Sequence, residues 1–517
     1  MNAIERIIAA VSPGWAVSRA SDRRVLAAYE AATPSRLRKS KADNASGDAV
    51  VGKSGAALRG YARQLEQNYD LAQGVLDTLV DRVVGPRGIS WEPLPKNTDG
   101  TLHEDFAKEL KKVWKEIAPT LNVTWDLDDV ETERLAARTL FRDGEFLVQF
   151  LEGNIPGLDH GSIVPFSIEL IESDLLPFDL NDEKKGITQG VERSAWLRPR
   201  AYHLLKQHPG GMSSRWDFNT KRVPAEKMLH PKIIGRLGQA RGVSIFSSTI
   251  IRIEDLKDYE ESERVAARVA AALTGFIKKG TPDLYNEPDD GNAQRMIHMQ
   301  PGIIADGLKQ GEDIGTIESN RPSALLTPFH SIMTRRVAAG TRTNFSSIAK
   351  EYNGNYSSRK QEQAEATVGY EGLTRFLVGK YSRPIKQRAI QVAIISGRLK
   401  LPPDLDISTL FDAEFRGPVV LSLDAEKDAK ARREAERAGH KSAQQNIRDA
   451  GGDPEEVRSQ NKSWREKNDK DGLVFTTDPK YDNLNMIEAP AQSGASSLKR
   501  NDNEDEDEEE DDDASSD

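Results

Sequence analysis

Apolar and polar positions alternate along this 517-residue chain in long helical runs separated by shorter extended ones. The longest run is Ile253–Gly280, which is Ala-rich over residues 263–273 and from Asp255 to Lys279 holds no proline and one glycine, Gly275. At about 1.5 Å of rise per residue, a helix over Asp255–Lys279 spans roughly 37 Å. Asp255, Asp258, Glu260 and Glu261 crowd its start and Lys278 and Lys279 its end, the order that the helix dipole favours, and Gly280 marks the stop. Leu256, Tyr259, Val269, Leu273 and Phe276 form an apolar stripe, while Ala266, Ala267, Ala270, Ala271 and Ala272 form a small-residue surface. Such a helix either lies on a globular core or packs closely against copies of itself.

Before it, Gly55–Val84 predicts one or two helices, with apolar positions at 75, 76, 79, 80, 83 and 84 and a break at Gly85-Pro86. Ile89–Pro93 reads as extended, Glu104–Ile117 as an amphipathic helix, and Glu131–Asp143 as another helix turning at Gly144 into a strand over Glu145–Leu151. Phe166–Ile171 is a further strand, with shorter ones at Gly190–Arg193 and Arg200–Leu205, and Met228-Leu229-His230 closes the region. Together these predict an α+β domain over about 60–245.

After it, Thr281–Thr327 is punctuated by Gly and Pro and predicts small strands and turns, and Pro328–Ala339 returns as helix. The order describes a helical hairpin carrying a small β module at its tip. Thr341–Ser358 reads as a polar loop with a turn at Asn353-Gly354. A long helix follows from Arg359, interrupted at Pro384 and continuing to Ser396; the charged segments Ala425–Arg437, His440–Ala450 and Pro454–Lys470 predict further helices.

Composition adjusts this picture in three ways. Charged residues are 30% of the chain and mean hydropathy is −0.61, and no apolar run reaches the roughly 20 residues of a membrane span. The net charge of −10 is concentrated in residues 501–517, which hold twelve acids and no base, so the remainder sums to +2. That tail is expected to be disordered. The absence of cysteine excludes disulfides, thiolate metal sites and cysteine nucleophiles, and the N-terminus lacks the pattern of a signal peptide.

Candidate chemistry is sparse. Gly47–Ser54 (GDAVVGKS) matches the phosphate-loop pattern GxxxxGK[ST], with Lys53 and Ser54 as the would-be phosphate and metal contacts. The pattern needs a buried strand in front of the loop, and residues 37–46 are polar almost throughout, so a helix lead-in is the stronger reading. The best later strand ending in an acid, Val419–Asp424, sits in a different context. The eight histidines show no metal-ligand spacing, and Glu172 and Asp174 read as strand-end carboxylates without a histidine partner. No catalytic residues, cofactor or metal are expected.

Four stretches in order resemble the lambda-type portal family of tailed bacteriophages. They are Arg236–Ser244 (RLGQARGVS) leading into the long helix, Met299–Gly311 (MQPGIIADGLKQG), Glu351–Glu362 (EYNGNYSSRKQE), and Phe415–Ala431 (FRGPVVLSLDAEKDAKA). Weaker echoes occur at Asp77–Gly85 and Arg138–Leu147, so the resemblance spans about 60–470. The last stretch departs from the family pattern, with Ala425 where proline is usual and Arg416 where an aromatic is common.

The resemblance implies an α+β portal fold: an N-terminal arm at 1–59, a wing at 60–254, stem helices at 255–279 and 328–340 around a clip at 280–327, and a tunnel loop at 341–358. A long kinked wing helix at 359–400, a helical crown at 401–477 and the acidic tail at 478–517 complete it. It further implies a homododecameric ring in the virion, at one capsid vertex, assembled in the bacterial host's cytoplasm, with double-stranded DNA passing through the channel without sequence specificity. Implied partners are the terminase large subunit, the major capsid and scaffold proteins, and head-completion or tail-connector proteins. Residues expected to face DNA are Arg335, Arg336, Arg342, Asn344, Ser346, Ser347, Lys350, Asn353 and Asn355; those expected to pack neighbouring stems are Ala266, Ala267, Ala270, Ala271 and Phe276. A nucleotide-binding protein using 47–54 and a non-portal oligomeric scaffold are the alternatives.

Overall fold

The computed structural model describes residues 44–211, 219–271, 275–279, 312–316, 326–352, 355–419 and 424–473. The chain divides into two compact units, residues 1–431 and 432–517. The Asn353-Gly354 turn, most of the 280–327 segment and the acidic tail lie outside the described residues.

The first unit opens with helix α1, Gly47–Asn68, whose N-cap Ser46 accepts the Ala49 N–H on its hydroxyl at 3.2 Å. The arm expected to reach residue 59 therefore gives way to helix at Gly47. The chain breaks at Tyr69 (φ −140°) and resumes as α2, Asp70–Val83, which is buried along Ala72, Val75, Leu76, Leu79, Val80 and Val83. Helix α3, Glu104–Ile117, buries Phe106, Leu110, Val113 and Ile117 at the predicted helical spacing. Helix α4, Asp129–Asp143, starts in a capping box between Asp128 and Glu131 and stops at Gly144 in the left-handed region (φ 87°).

Two sheets follow. In the first, Leu147–Glu152 pairs antiparallel with both Phe166–Ile171 and a short strand at Met228–Leu229. The second is an antiparallel meander of Ile187–Thr188, Val191–Arg193, Pro199–Leu205 and Thr220–Pro224, with an irregularity between Glu192 and Arg193. Leu147, Leu176, Val191, Tyr202, Leu204, Val223 and Met228 form a small core between the sheets, apart from the main helical core. Ser90–Pro93 pairs with Ala413–Arg416, fastening sequence-distant segments together.

Helix α5 runs Ile250–Ala271, and the backbone is then a strand, Gly275–Lys279, antiparallel to Glu312–Thr316. The helix predicted to reach Lys279 is thus corrected at its C-terminal end. Phe276 and Ile277 have good strand propensity, and a partner strand 37 residues away in register (Ile277 opposite Ile314) outweighs the local charge order. Helix α6, Leu326–Thr341, returns beside α5, with Tyr259 and Phe329 ring centroids 4.8 Å apart. A short helix α7, Phe345–Ala349, interrupts the segment predicted to be all loop.

Helix α8, Tyr356–Leu377, passes through a π-helical turn at Val378–Ser382 into α9, Arg383–Ile395. Pro384 has no N–H to give to an α-helical acceptor; the wider turn, in which Arg383 N–H bonds Val378 O, carries the helix past it without a break. In the second unit, Ala443–Asp449 and Pro454–Asp471 are helices with polar surfaces; Asn446 Nδ2 bonds the Arg432 carbonyl at 3.3 Å, and Lys441 pairs with Asp449 at 2.7 Å.

Candidate functional site

The phosphate-loop reading fails on backbone conformation. Residues 47–54 are the first two turns of α1, so their N–H groups beyond the first turn are spent on helical hydrogen bonds and form no cradle. Lys53 is exposed, and Ser54 Oγ donates to the Val50 carbonyl at 2.8 Å. The glycines serve packing: a Cβ at Gly55 would lie 2.9 Å from Phe178, and one at Gly52 would lie 2.8 Å from Gln189.

The segment expected to face a channel is anchored at both ends. Thr341 closes α6 with its hydroxyl on the Val337 carbonyl at 2.9 Å; Arg342 is left-handed (φ 60°), and the Thr343 N–H returns to the Ala338 carbonyl at 3.0 Å. Asn344 is held by α8: its N–H donates to the Tyr370 oxygen at 3.3 Å, and the Tyr370 hydroxyl donates to Asn344 Oδ1 at 2.8 Å. Glu362 accepts both the Ser346 N–H (3.1 Å) and the Ser346 hydroxyl (2.5 Å). Ser347 and Ile348 turn inward and are buried. Asn355 caps α8 by accepting the Ser358 N–H at 2.9 Å, and Asn353 lies outside the described residues.

The polar side chains of this segment therefore divide. Asn344, Ser346 and Asn355 hold the loop in shape, Ser347 faces the core, and the charges face out. Arg335 lies over the Phe345 ring at 4.8 Å and is exposed. Arg336, Arg342 and Lys350 are exposed and, among the described residues, have no acidic partner. The two anchors, Glu362 and Tyr370, carry no sequence signal of that role; they lie one helical face along α8 and reveal it only when α7 is packed against them.

Of the expected stem-packing residues, Ala266 is half-buried and Ala267 exposed, while Ala270 and Ala271 continue the same helix. Phe276 belongs to the strand that follows. Between α5, the start of α6 and the α1–α2 junction runs an open groove of about 760 Å³, lined by Tyr69, Lys257, Glu260, Ala267 and His330 among others. Glu260 ties its walls together: His330 Nε2 is 2.8 Å from its carboxylate, and burial together with a hydrogen bond to Glu260 raises the Tyr69 hydroxyl pKa.

Beneath the hairpin is a buried ionic cluster. Glu145 accepts from Arg241 Nε at 2.7 Å, from the Gly242 N–H at 2.6 Å and from His230 Nε2 at 2.9 Å. Burial alone would raise its pKa; Arg241 and His230 overcome this and hold it far below the usual carboxylate range. Burial lowers His230, which keeps the ring neutral and donating. Arg241 also donates to the carbonyls of Leu176 (2.8 Å) and Ser173 (3.0 Å) and lies 4.0 Å from the Phe178 ring centre. The sequence motif RLGQARGVS thus supplies a structural clamp.

The reading of Glu172 and Asp174 as carboxylates without a histidine partner is corrected. The turn after Leu205 brings His208 Nε2 to 3.0 Å from Glu172, and Glu172, Asp174 and His208 present ligand atoms within 4.8 Å of one another. Asp174 already pairs with Arg59 at 3.2 Å and Arg63 at 2.6 Å, and those cations lower its pKa against the effect of burial. With two guanidiniums on one of its three members, the cluster is electrostatically poor for a cation.

A lambda-family phage portal profile matches residues 33–373. The chain belongs to the lambda family of phage portal proteins. This portal chain is also similar to a probable portal protein of Halomonas phage phiHAP-1, 26% identical over 367 residues that cover 69% of this chain and 70% of that one. Among solved structures it is similar to the neck of a native gene transfer agent particle computed with C12 symmetry, at 11% identity and TM-score 0.42, covering 75% of this chain and 90% of that one. A chain of the virion of a native gene transfer agent particle matches at 11% identity and TM-score 0.40, over 79% and 99% of the two chains. No helix among the described residues is long and apolar enough to cross a membrane. As a portal protein, the chain works at a capsid vertex.

Proposed function

We propose that twelve copies close into a head-to-tail ring whose channel carries double-stranded DNA during packaging and ejection, with the hairpin of α5 and α6 as stem and residues 341–355 facing the channel. The observation that carries this reading is the anchored 341–355 segment. Asn344, Ser346 and Asn355 are spent on Tyr370, Glu362 and helix capping, while Arg336, Arg342 and Lys350 stay exposed beside it without acidic partners among the described residues. A conduit needs such sparse, sequence-blind contact, because each added phosphate contact steepens salt-dependent affinity and would hold the DNA in place. Ring closure needs two different complementary surfaces per subunit, and the small-residue side of α5 suits close approach of a neighbouring helix.

On this reading the protein performs no catalysis. ATP hydrolysis belongs to a separate terminase, which docks on the 280–327 segment, and head-completion proteins later take the same place; capsid and scaffold proteins contact the outer face. Native mass spectrometry with electron-microscopy class averages tests the ring. Closed rings with a central channel support it, and a stable monomer or dimer at high concentration sinks it.

A further inference from the structure

We propose that the chain's own N-terminal segment, residues 4–17, docks on an apolar patch formed by the Arg193–Pro199 turn and the Ile233–Ala240 loop. The patch is unusual for an exposed surface. Trp196 is 92% exposed and Leu237 99%, with Leu197 and Ile234 about half exposed beside them. The two loops adjoin: Arg193 Nη1 donates to the Gly238 carbonyl at 2.8 Å, and a Cβ at Gly238 would lie 3.3 Å from Leu197 Cδ1.

Both loops hold these side chains out by construction. In the turn, Ser194 N–H bonds the Arg198 carbonyl at 2.8 Å and Leu197 N–H bonds the Ser194 carbonyl at 2.9 Å. Leu197 has φ 59°, a conformation that disfavours a branched side chain and favours glycine. In the loop, the buried Gln239 side chain accepts from the N–H groups of Gly235 (3.1 Å) and Arg236 (3.2 Å) and donates to the Arg241 carbonyl at 2.7 Å. Leu237 is thus fixed at the apex of an internally braced loop.

The described chain enters at this place. A Cβ at Gly47 would touch Arg236 Cβ at 3.2 Å, and Asp48 accepts from the Ala240 N–H at 2.6 Å and pairs with Arg193 at 2.7 Å. Upstream of it, Ile4, Ile7, Ile8 and Val11 recur at helical spacing, followed by Trp15 and Val17. An amphipathic stripe of this kind needs an apolar surface to cover it. The tether from Val17 to Gly47 reaches roughly 100 Å when extended, so length does not restrict the return.

The absence of cysteine from the chain gives a clean test on the full-length protein. Leu237→Cys is combined in turn with Ile4→Cys, Ile8→Cys, Val11→Cys and Trp15→Cys, and Ile163→Cys replaces Leu237→Cys as the control. Under mild oxidation the proposal expects intrachain disulfides with Leu237→Cys, formed at least about tenfold faster than with the control, as tethering on a docked surface gives. Interchain products or no preference over the control overturn it. In a second measurement, tryptic cleavage at Arg6 and Arg19 is expected to speed up at least about tenfold in Trp196→Ser/Leu237→Ser, with circular dichroism unchanged. Equal cleavage rates in the two proteins overturn the proposal.

Discussion

Glu145 and Arg241 meet at 2.6 Å with neither side chain exposed to solvent, and this pair joins the lead-in to strand Leu147–Glu152 to the loop that precedes α5. Removing one partner leaves the other charged and buried. Arg241→Met and Glu145→Gln are each expected to destabilise the fold by about 3–5 kcal/mol, read from urea unfolding. The Arg241 change also frees the carbonyls of Ser173 and Leu176, so it should cost the more of the two. A loss below about 1 kcal/mol for either would show that water reaches the cluster.

Gly144 and Gly242 explain how that pair can form. Gly144 has φ 87°, and a Cβ there would lie 2.2 Å from the Val243 carbonyl carbon; one at Gly242 would lie 2.1 Å from the Gly144 oxygen. Backbone passes against backbone, so nothing flexible can yield. Gly144→Ala is expected to cost more than about 2 kcal/mol, with strain and clash adding. A thermal midpoint equal to wild type would refute the close approach.

Lys386 stands 3.2 Å from the Trp114 ring centre and 5.2 Å from that of Trp91, with Glu133 and Asp129 acting on it from α4. Burial pushes its pKa down to about 7, and the two carboxylates only partly oppose that. The unfolded chain therefore binds this proton more tightly, so protonated Lys386 costs stability at and below neutral pH, and the cost is relieved as pH rises toward the ordinary lysine value. Lys386→Met removes this dependence. Relative to wild type, the variant should lose its advantage steadily between pH 7 and 10 in denaturant titrations; a constant difference would contradict the assignment.

Arg336, Arg342 and Lys350 are exposed and unpaired among the described residues, so their joint replacement by Ala should leave folding within about 0.5 kcal/mol of wild type. Non-specific DNA binding by assembled rings should weaken, with a shallower dependence on salt. Unchanged binding at low salt would remove these residues from the channel.

Lys53→Ala touches only an exposed helical position, so stability and DNA packaging should both stay at wild-type level. Loss of packaging with stability retained would revive a role for the 47–54 motif.

Much of the fold was legible in local pattern. Glu104–Ile117, Phe166–Ile171 and Ala425–Arg437 occupy the predicted spans, because each carries its own periodicity and end signals within a few residues. The portal family was legible too, in the order of short motifs that the match over residues 33–373 spans in part. Where sequence reasoning missed, a distant partner decided. Gly275–Lys279 has the charges of a helix end and becomes a strand because Glu312–Thr316 pairs with it. Ser347 looks like a polar loop residue and is buried because α7 packs down, with Glu362 and Tyr370 holding its neighbours. His208 joins Glu172 only through a hairpin turn, and Arg241 finds Glu145 across 96 residues.

The sequence by itself determined the long periodic helices apart from the end of α5, the strands with clear periodicity, the neutral body with its acidic tail, and the family. Tertiary structure alone decided which polar residues face solvent and which are spent inside. Hydrogen bonding and burial depend on what lies across a contact, and that neighbour is usually far away along the chain.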